Sequence, residues 1–333
     1  MYKPSLRETD TNTKTKQNLA APLYESNNHR RQLWKDAIKW PLYSIAVMPI
    51  VLAAGWTIGQ NKSLRIDQFL GFLVASISLL LWENLTNDLF DSETGVDELN
   101  KPHSIVALLG GKHLVRKISS VALAFGLLII YLLALRSSNA VFFLVIGSCL
   151  LGYLYQGPPF RLGYKGLGEP LCWLAFGPLA TAASLIVLSP TQNSASKLIP
   201  WNEAMLIGSG PALATTLVLF CSHFHQVIED AAHGKKSPLV RLGTRKASHL
   251  IPWVVSITLA LEWLPIIHGT LPITSLLGII SLPPAISLIK LLKRHHNKPK
   301  LIEKSKFLAL KFQTLNGFGF SFGLAMARFI DFH

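Results

Sequence analysis

Nine mostly apolar stretches, each near the length needed to cross a bilayer, limit what this chain can become more than anything else in it. They cover about residues 39–58, 66–86, 117–135, 139–157, 168–188, 204–225, 249–268, 271–291 and 308–328. Spanning the hydrocarbon core takes roughly 20 apolar residues in a helix. The chain is therefore predicted to be all-α, a polytopic membrane bundle of about nine transmembrane helices around a central cavity. Composition agrees, since half of the 333 residues are hydrophobic and only 15% are charged, which argues against a soluble core. Glycine and proline inside several segments are tolerable where neighbouring helices re-satisfy the backbone. Pro283-Pro284 is predicted to kink the eighth helix.

Charge sets the orientation. With the N-terminus in the cytoplasm, the tail and the loops after helices two, four, six and eight carry most of the 32 lysines and arginines, while the opposite loops hold only Lys62, Arg65, Arg136 and Lys197. His333 then falls on the far side. Residues 1–35 are polar, contain Glu8, Asp10 and Glu25 and lack the apolar run of a signal segment, so they read as a disordered cytoplasmic tail. Residues 36–333 are predicted to form one transmembrane domain. The run from Lys290 to Lys306 reads as a positive-inside loop attracted to lipid headgroups, and no nucleic-acid partner is expected. Cys149, Cys172 and Cys221 lie in apolar segments without metal-like spacing and read as small core hydrophobes.

The most informative polar stretch runs from Asn84 to Gly111, at the cytoplasmic end of the second apolar segment. Asn84, Asp88 and Asp91 share a helical face, with Asn87 at their shoulder. Ionisable residues at membrane depth are costly and mark functional sites. Oxygen ligands of this kind suit magnesium, which takes one or two carboxylates and leaves positions for substrate phosphates. An EF-hand is excluded by spacing.

A second polar stretch follows the sixth segment, from Ser222 to Gly243, and echoes the first. Ser104 precedes Gly110 by six residues and Ser237 precedes Gly243 by six, each with a lysine upstream, Lys101 and Lys235. This weak repeat relates helices 1–4 to helices 5–8 and predicts that the two acidic ends face one another across a cavity. Between helices four and five, Tyr155 to Pro170 form a turn rich in glycine and proline that offers Arg161 and Lys165 as cations. Both can also be read as interface anchors. His223 and His225 are two residues apart and fall on different helical faces, which disfavours a metal pair. His225, beside Gln226, is a candidate cavity residue.

Acids and cations on one side of an apolar bundle can together hold a diphosphate, provided a divalent ion separates carboxylate from phosphate. The apolar walls below suit a long hydrocarbon chain. A polyisoprenyl diphosphate satisfies both demands.

From about residue 35 to 328 the chain resembles the UbiA-type intramembrane prenyltransferases, and within them the branch that prenylates 1,4-dihydroxy-2-naphthoate. Asn87, Asp88 and Asp91 followed by Gly95 and Asp97 are similar to that branch's N-D-x-x-D-x-x-x-G-x-D, and the loop from Gly163 to Glu169 resembles it too. At the second site most relatives have D-x-x-x-D. This chain keeps Asp230 but has Gln226 in place of the first aspartate, within a S-H-F-H-Q context similar to phytyl-using members.

The resemblance implies magnesium-dependent transfer of a phytyl or polyprenyl group from its diphosphate to the naphthoate, with loss of the ring carboxylate, in phylloquinone or menaquinone synthesis in a thylakoid or cell inner membrane. It implies one magnesium at Asn84, Asn87, Asp88 and Asp91 and another at Asp230 with Glu229 or Gln226. Lys101, Arg161, Lys165 and Lys235 would take the phosphates. It identifies no general base, no prenyl length and no oligomeric state. Two rivals remain open: a homogentisate or chlorophyllide acceptor within the same family, and a cation transporter without chemistry. The second is disfavoured because the acids cluster at helix ends rather than along a path.

Overall fold

The structure, a computed structural model, describes residues 40–94, 104–189 and 198–330. The expectations for the N-terminal tail, Gly95, Asp97, Lys101, Lys197 and His333 lie outside the described residues. No strand occurs among the described residues, and nine long helices do. They are α1 (Pro41–Gly59), α2 (Ile66–Thr94), α3 (Lys112–Leu135), α4 (Asn139–Gln156), α5 (Gly168–Leu188), α6 (Trp201–His225), α7 (Pro238–Ile267), α8 (Ile273–His295) and α9 (Ser305–Ile330). The first eight are long and apolar enough to cross a membrane. The ninth has 26 residues but is interrupted by Lys311, Gln313 and Asn316.

The helices outrun their apolar windows at the polar ends. α2 continues past residue 86 to Thr94, so the acids ride on regular helix rather than on a loop. α7 starts at Pro238, well before its apolar core, and breaks at Gly243 (φ 76°, ψ 155°). Gly110 has a matching φ of 73° just before α3. Both positions lie in the left-handed region that a side chain adopts only with strain. Each of the two S-x-x-x-x-x-G stretches is thus a short helical turn, a glycine elbow and a long helix.

The eighth helix changes character, but just ahead of its prolines. It is 3-10 over Ile273–Ser281 and α-helical over Leu282–His295. Pro283 and Pro284 sit in the first α turn, where a missing N–H costs nothing. α5 carries a π-helical turn over Ala175–Leu179.

α6 is the axis of the bundle, with 78% of its apolar window buried against 33% for α2, α3 and α7. In lipid there is little hydrophobic drive between helices, so close packing and interhelical hydrogen bonds carry their association. One apolar core gathers Met48, Ile50, Ile130, Leu188, Ile207 and Phe320, and another gathers Leu217, Phe224, Leu239, Ile251, Leu288 and Phe312. Polar clamps reinforce them. Ser321 Oγ of α9 donates to the Val51 carbonyl of α1 at 2.6 Å, and Asn316 Nδ2 of α9 donates to Glu262 Oε2 of α7 at 2.9 Å.

Candidate active site

At the polar end of α2 the acids accept hydrogen bonds from other elements of the fold. Asp88 Oδ2 accepts from Ser104 Oγ at 2.9 Å and from the Val106 N–H at 3.0 Å. The turn Ile105–Leu108 therefore hangs on this carboxylate. Asp91 Oδ1 accepts from Gln156 Nε2 at the end of α4. Asn84 is hydrogen-bonded to the Tyr43 hydroxyl of α1. Asn87 is half-buried on the same helix.

The second end is built differently. After α6 comes a short helix, Val227–Ala232, whose Asp230 is completely buried. Its Oδ2 lies 3.2 Å from His223 Nδ1 and its Oδ1 3.3 Å from Lys235 Nζ. His223 Nε2 in turn is 3.6 Å from Glu169 at the start of α5. Burial alone would raise the Asp230 carboxyl. The His223 hydrogen bond and the Lys235 ammonium outweigh it and hold the group below its ordinary value. A lysine this buried requires such a partner.

Tyr164, in the loop between α4 and α5, joins the two ends. Its hydroxyl is 2.9 Å from Thr94 Oγ1 at the end of α2. Lys235 Nζ lies 5.6 Å from its ring centroid and Arg161 Cζ 5.7 Å, both within cation–π range. Burial raises the Tyr164 phenol in spite of the Thr94 bond. The loop is pinned from the other side, where the Lys236 N–H donates to the Tyr164 carbonyl at 2.7 Å and Arg241 Nη2 to the Lys165 carbonyl at 2.6 Å.

Asp88, Asp91, Asp230, Arg161 and Lys235 thus belong to one connected polar layer. Lys165 joins it only through its backbone, its side chain being exposed. The Gln226 carbonyl accepts the Asp230 N–H at 2.7 Å, and half-buried Glu229 holds His233 Nδ1 through its carbonyl at 2.9 Å. His225 turns to Ser305 Oγ of α9 at 3.1 Å, leaving His223 as the imidazole on Asp230.

Sequence reasoning named His223 only for a hydrogen-bonding or core role, without its partner, and missed Glu169, Gln156 and Tyr164, which meet their partners across the fold and share no local pattern. It also missed Glu83, although a lone acid inside an apolar window was a visible signal.

Among the described residues no group of three or more His, Cys, Asp or Glu is placed to hold a metal ion. Gln156 Oε1 and both Glu169 carboxylate oxygens are buried without a hydrogen-bond partner, as is the Ser237 hydroxyl. Oxygen acceptors without hydrogen-bond donors, beside the carboxylates of Asp88 and Asp91, fit a hard cation completed by phosphate oxygens.

Next to this layer lies an apolar cavity of about 870 Å³, counting its open mouth, between α1, α2, α4 and α5. Tyr155, Gly168 and Glu83 stand at its polar end and Phe72 at the other, with Ile50, Leu79 and Phe176 among its walls.

An acid-and-cation layer over a membrane-embedded apolar cavity matches what the sequence of the chain says of its ancestry. The sequence profile of the UbiA prenyltransferase family covers residues 46–311. The chain belongs to this family. It is an integral, multi-pass membrane protein, as its eight apolar spans and UbiA membership require. It is similar to the 2-carboxy-1,4-naphthoquinone phytyltransferase of Synechocystis, with 40% identity over 86% of this chain and 91% of that one. The chloroplastic 2-carboxy-1,4-naphthoquinone phytyltransferase of Arabidopsis thaliana is 35% identical over 93% of this chain and 81% of that one. A UbiA homologue from Archaeoglobus fulgidus, solved with GPP and Mg2+, superposes with a TM-score of 0.54 at 16% identity, covering 89% of this chain and 99% of that chain. The fold is shared to that extent.

Proposed function

We propose that this chain transfers a phytyl or polyprenyl group from its diphosphate to 1,4-dihydroxy-2-naphthoate with loss of carbon dioxide, a step of phylloquinone or menaquinone synthesis. The observation that carries the reading is the 40% identity to the Synechocystis phytyltransferase over 91% of that enzyme. The polar layer above an apolar cavity is the arrangement such a reaction needs.

Asn84, Asn87, Asp88 and Asp91 would hold one magnesium, and Asp230 with Glu229 or Gln226 a second. Bound magnesium supplies Lewis-acid charge that stabilises the leaving diphosphate. Lys101, Arg161, Lys165 and Lys235 supply cations for the phosphate oxygens, of which Lys235 is the one held ready inside the layer by Asp230. Tyr164 keeps Lys235 and the end of α2 in a fixed relation, so that cations and acids act on one substrate together. The walls of the cavity take the hydrocarbon chain and keep water from the allylic cation.

The allylic C–O bond breaks with its electron pair going to diphosphate, and the electron-rich ring carbon bearing the carboxylate attacks the cation. The C–CO₂ bond then returns its pair to the ring. Carbon dioxide leaves in place of a proton, so no general base is required at that carbon. His225 is assigned to the acceptor side, and so is Gln226 where Glu229 rather than Gln226 completes the second magnesium site.

Residues 36–333 act as one domain, with the N-terminus and the polar layer facing the cytoplasm or its chloroplast equivalent, in a thylakoid or cell inner membrane. The test incubates membranes containing the protein with magnesium and a panel of donors from geranyl to solanesyl and phytyl diphosphate. Dihydroxynaphthoate and homogentisate are the competing acceptors. Prenylated naphthol with release of carbon dioxide is expected, and turnover of homogentisate alone overturns the reading.

A further inference from the structure

One ionisable group in the cavity is left without a task. Glu83 is the sole carboxylate among the residues that line it. It forms no hydrogen bond or ion pair among the described residues, and its neighbours Gly152, Cys149 and Cys172 provide no strong donor. The other acid buried deep in the bundle, Glu262, is held by Asn316 at 2.9 Å. A carboxyl with no partner at membrane depth costs stability and is retained where it meets a ligand.

Its place in the fold says which part of a ligand it meets. Glu83, Asn87 and Asp91 follow one another at i, i+4 and i+8 on the face of α2 that packs on α4. Asp91 meets Gln156 of α4, and Glu83 meets Gly152 one turn below. Two helical turns, about 12 Å, separate Glu83 from Asp91 along the axis. From there the cavity continues toward Phe72, eleven residues earlier on the helix. Glu83 therefore stands at the junction between the polar layer and the apolar tunnel. A prenyl chain has no polar atom beyond its diphosphate, so it offers nothing to a carboxyl at this depth. An oxygen-bearing aromatic ring does.

We infer that Glu83 is an acceptor-binding residue, whose carboxyl hydrogen-bonds a ring oxygen of the aromatic acceptor at the polar end of the cavity and presents the ring to the allylic carbon. The inference rests on the function proposed above. A Cβ at Gly152 would lie 3.4 Å from the Glu83 carboxyl carbon and 3.5 Å from Oε1, ordinary van der Waals contact, so a methyl at this position would touch the carboxyl without displacing it.

The experiment measures steady-state kinetics of the full chain in membranes, with dihydroxynaphthoate and phytyl diphosphate varied separately, for wild type, Glu83→Leu, Glu83→Gln and Glu83→Ala. Glu83→Leu should raise KM for dihydroxynaphthoate about tenfold to a hundredfold, the loss of a hydrogen bond involving a charged or buried group. KM for the donor should stay within about twofold. Glu83→Gln should recover most of the acceptor affinity, and Glu83→Ala should raise acceptor KM as Glu83→Leu does. An acceptor KM that is unchanged in Glu83→Leu overturns the inference, as does an equal rise for both substrates or no recovery in Glu83→Gln. Should Glu83→Leu fail to accumulate, an unchanged acceptor KM in Glu83→Ala overturns it instead. A wild-type protein that leaves dihydroxynaphthoate untouched removes the proposed function and this inference with it. Normal wild-type turnover beside an indifferent Glu83→Leu removes the inference alone.

Discussion

At the end of α2 the carboxylates of Asp88 and Asp91 rest on a serine hydroxyl, a backbone N–H and a carboxamide. At the end of α6, Asp230 rests on a lysine and an imidazole and sees no solvent. Asp88 at the first end rests on a hydroxyl and a backbone N–H, while Asp230 at the second is already compensated by a cation. The echo between the two stretches, down to the paired glycine elbows, therefore does not make them equivalent. A carboxylate held by neutral donors, as Asp88 is, can take a divalent ion without first displacing a cation. A carboxylate in a buried ion pair is tied to stability as well as to binding.

The largest effects should expose this asymmetry directly. Asp230→Asn leaves Lys235 buried without its counter-charge, so it should abolish turnover and also cost about 3–5 kcal/mol of stability, seen as a lower melting temperature in detergent. Asp91→Asn or Asp88→Asn should cut turnover at least about a hundredfold through loss of charge stabilisation, with melting changed little. Equal destabilisation at both ends would break the comparison.

Lys235→Met comes next. It should raise KM for the prenyl diphosphate by about ten- to a hundredfold, the worth of one charge-assisted hydrogen bond, and leave the acceptor KM unchanged. An effect confined to the acceptor would remove Lys235 from the phosphate side.

Tyr164→Phe deletes only the hydroxyl that reaches Thr94, and a loss of about 0.5–1.5 kcal/mol is expected. A double-mutant cycle with Thr94→Ala should return coupling of that size, and additive losses would show that the two ends are not joined through this contact. The smallest effect belongs to Gln226→Asp. An added carboxylate at the second end should lower the magnesium concentration for half-maximal rate a few-fold, in line with tighter hard-cation binding by more charged oxygen ligands. A rise in acceptor KM at unchanged magnesium dependence would assign Gln226 to the ring instead.

What the sequence displayed followed the range of the interactions concerned. Among the described residues each of the nine apolar windows became a helix, eight of them apolar enough to cross a membrane, because membrane depth forces each such window to satisfy its own backbone. Asp88 and Asp91 could be read because helical periodicity is local. The helix boundaries were less visible, since α2 and α7 run on through polar residues where no hydropathy signal marks an end. Tyr164 and His223 owe their roles to contacts with Thr94 and Asp230 made by the way the loops fold over the helix ends, and nothing near them announces it. Gln156 likewise looks like the ordinary polar end of a membrane helix until α2 is packed beside it.

The Asp230–Lys235 pair also bears on how the enzyme lets go. A diphosphate that draws on Lys235 must compete with a carboxylate already in place 3.3 Å away, so part of the binding energy is given up before the substrate is held. The same competitor is waiting when the reaction is over. With Lys235 on the phosphates as proposed, Asp230 would reclaim the lysine once the prenyl group has moved and shorten the stay of the inorganic product. An anion-binding layer without such an internal rival would grip its leaving group long after it had finished leaving.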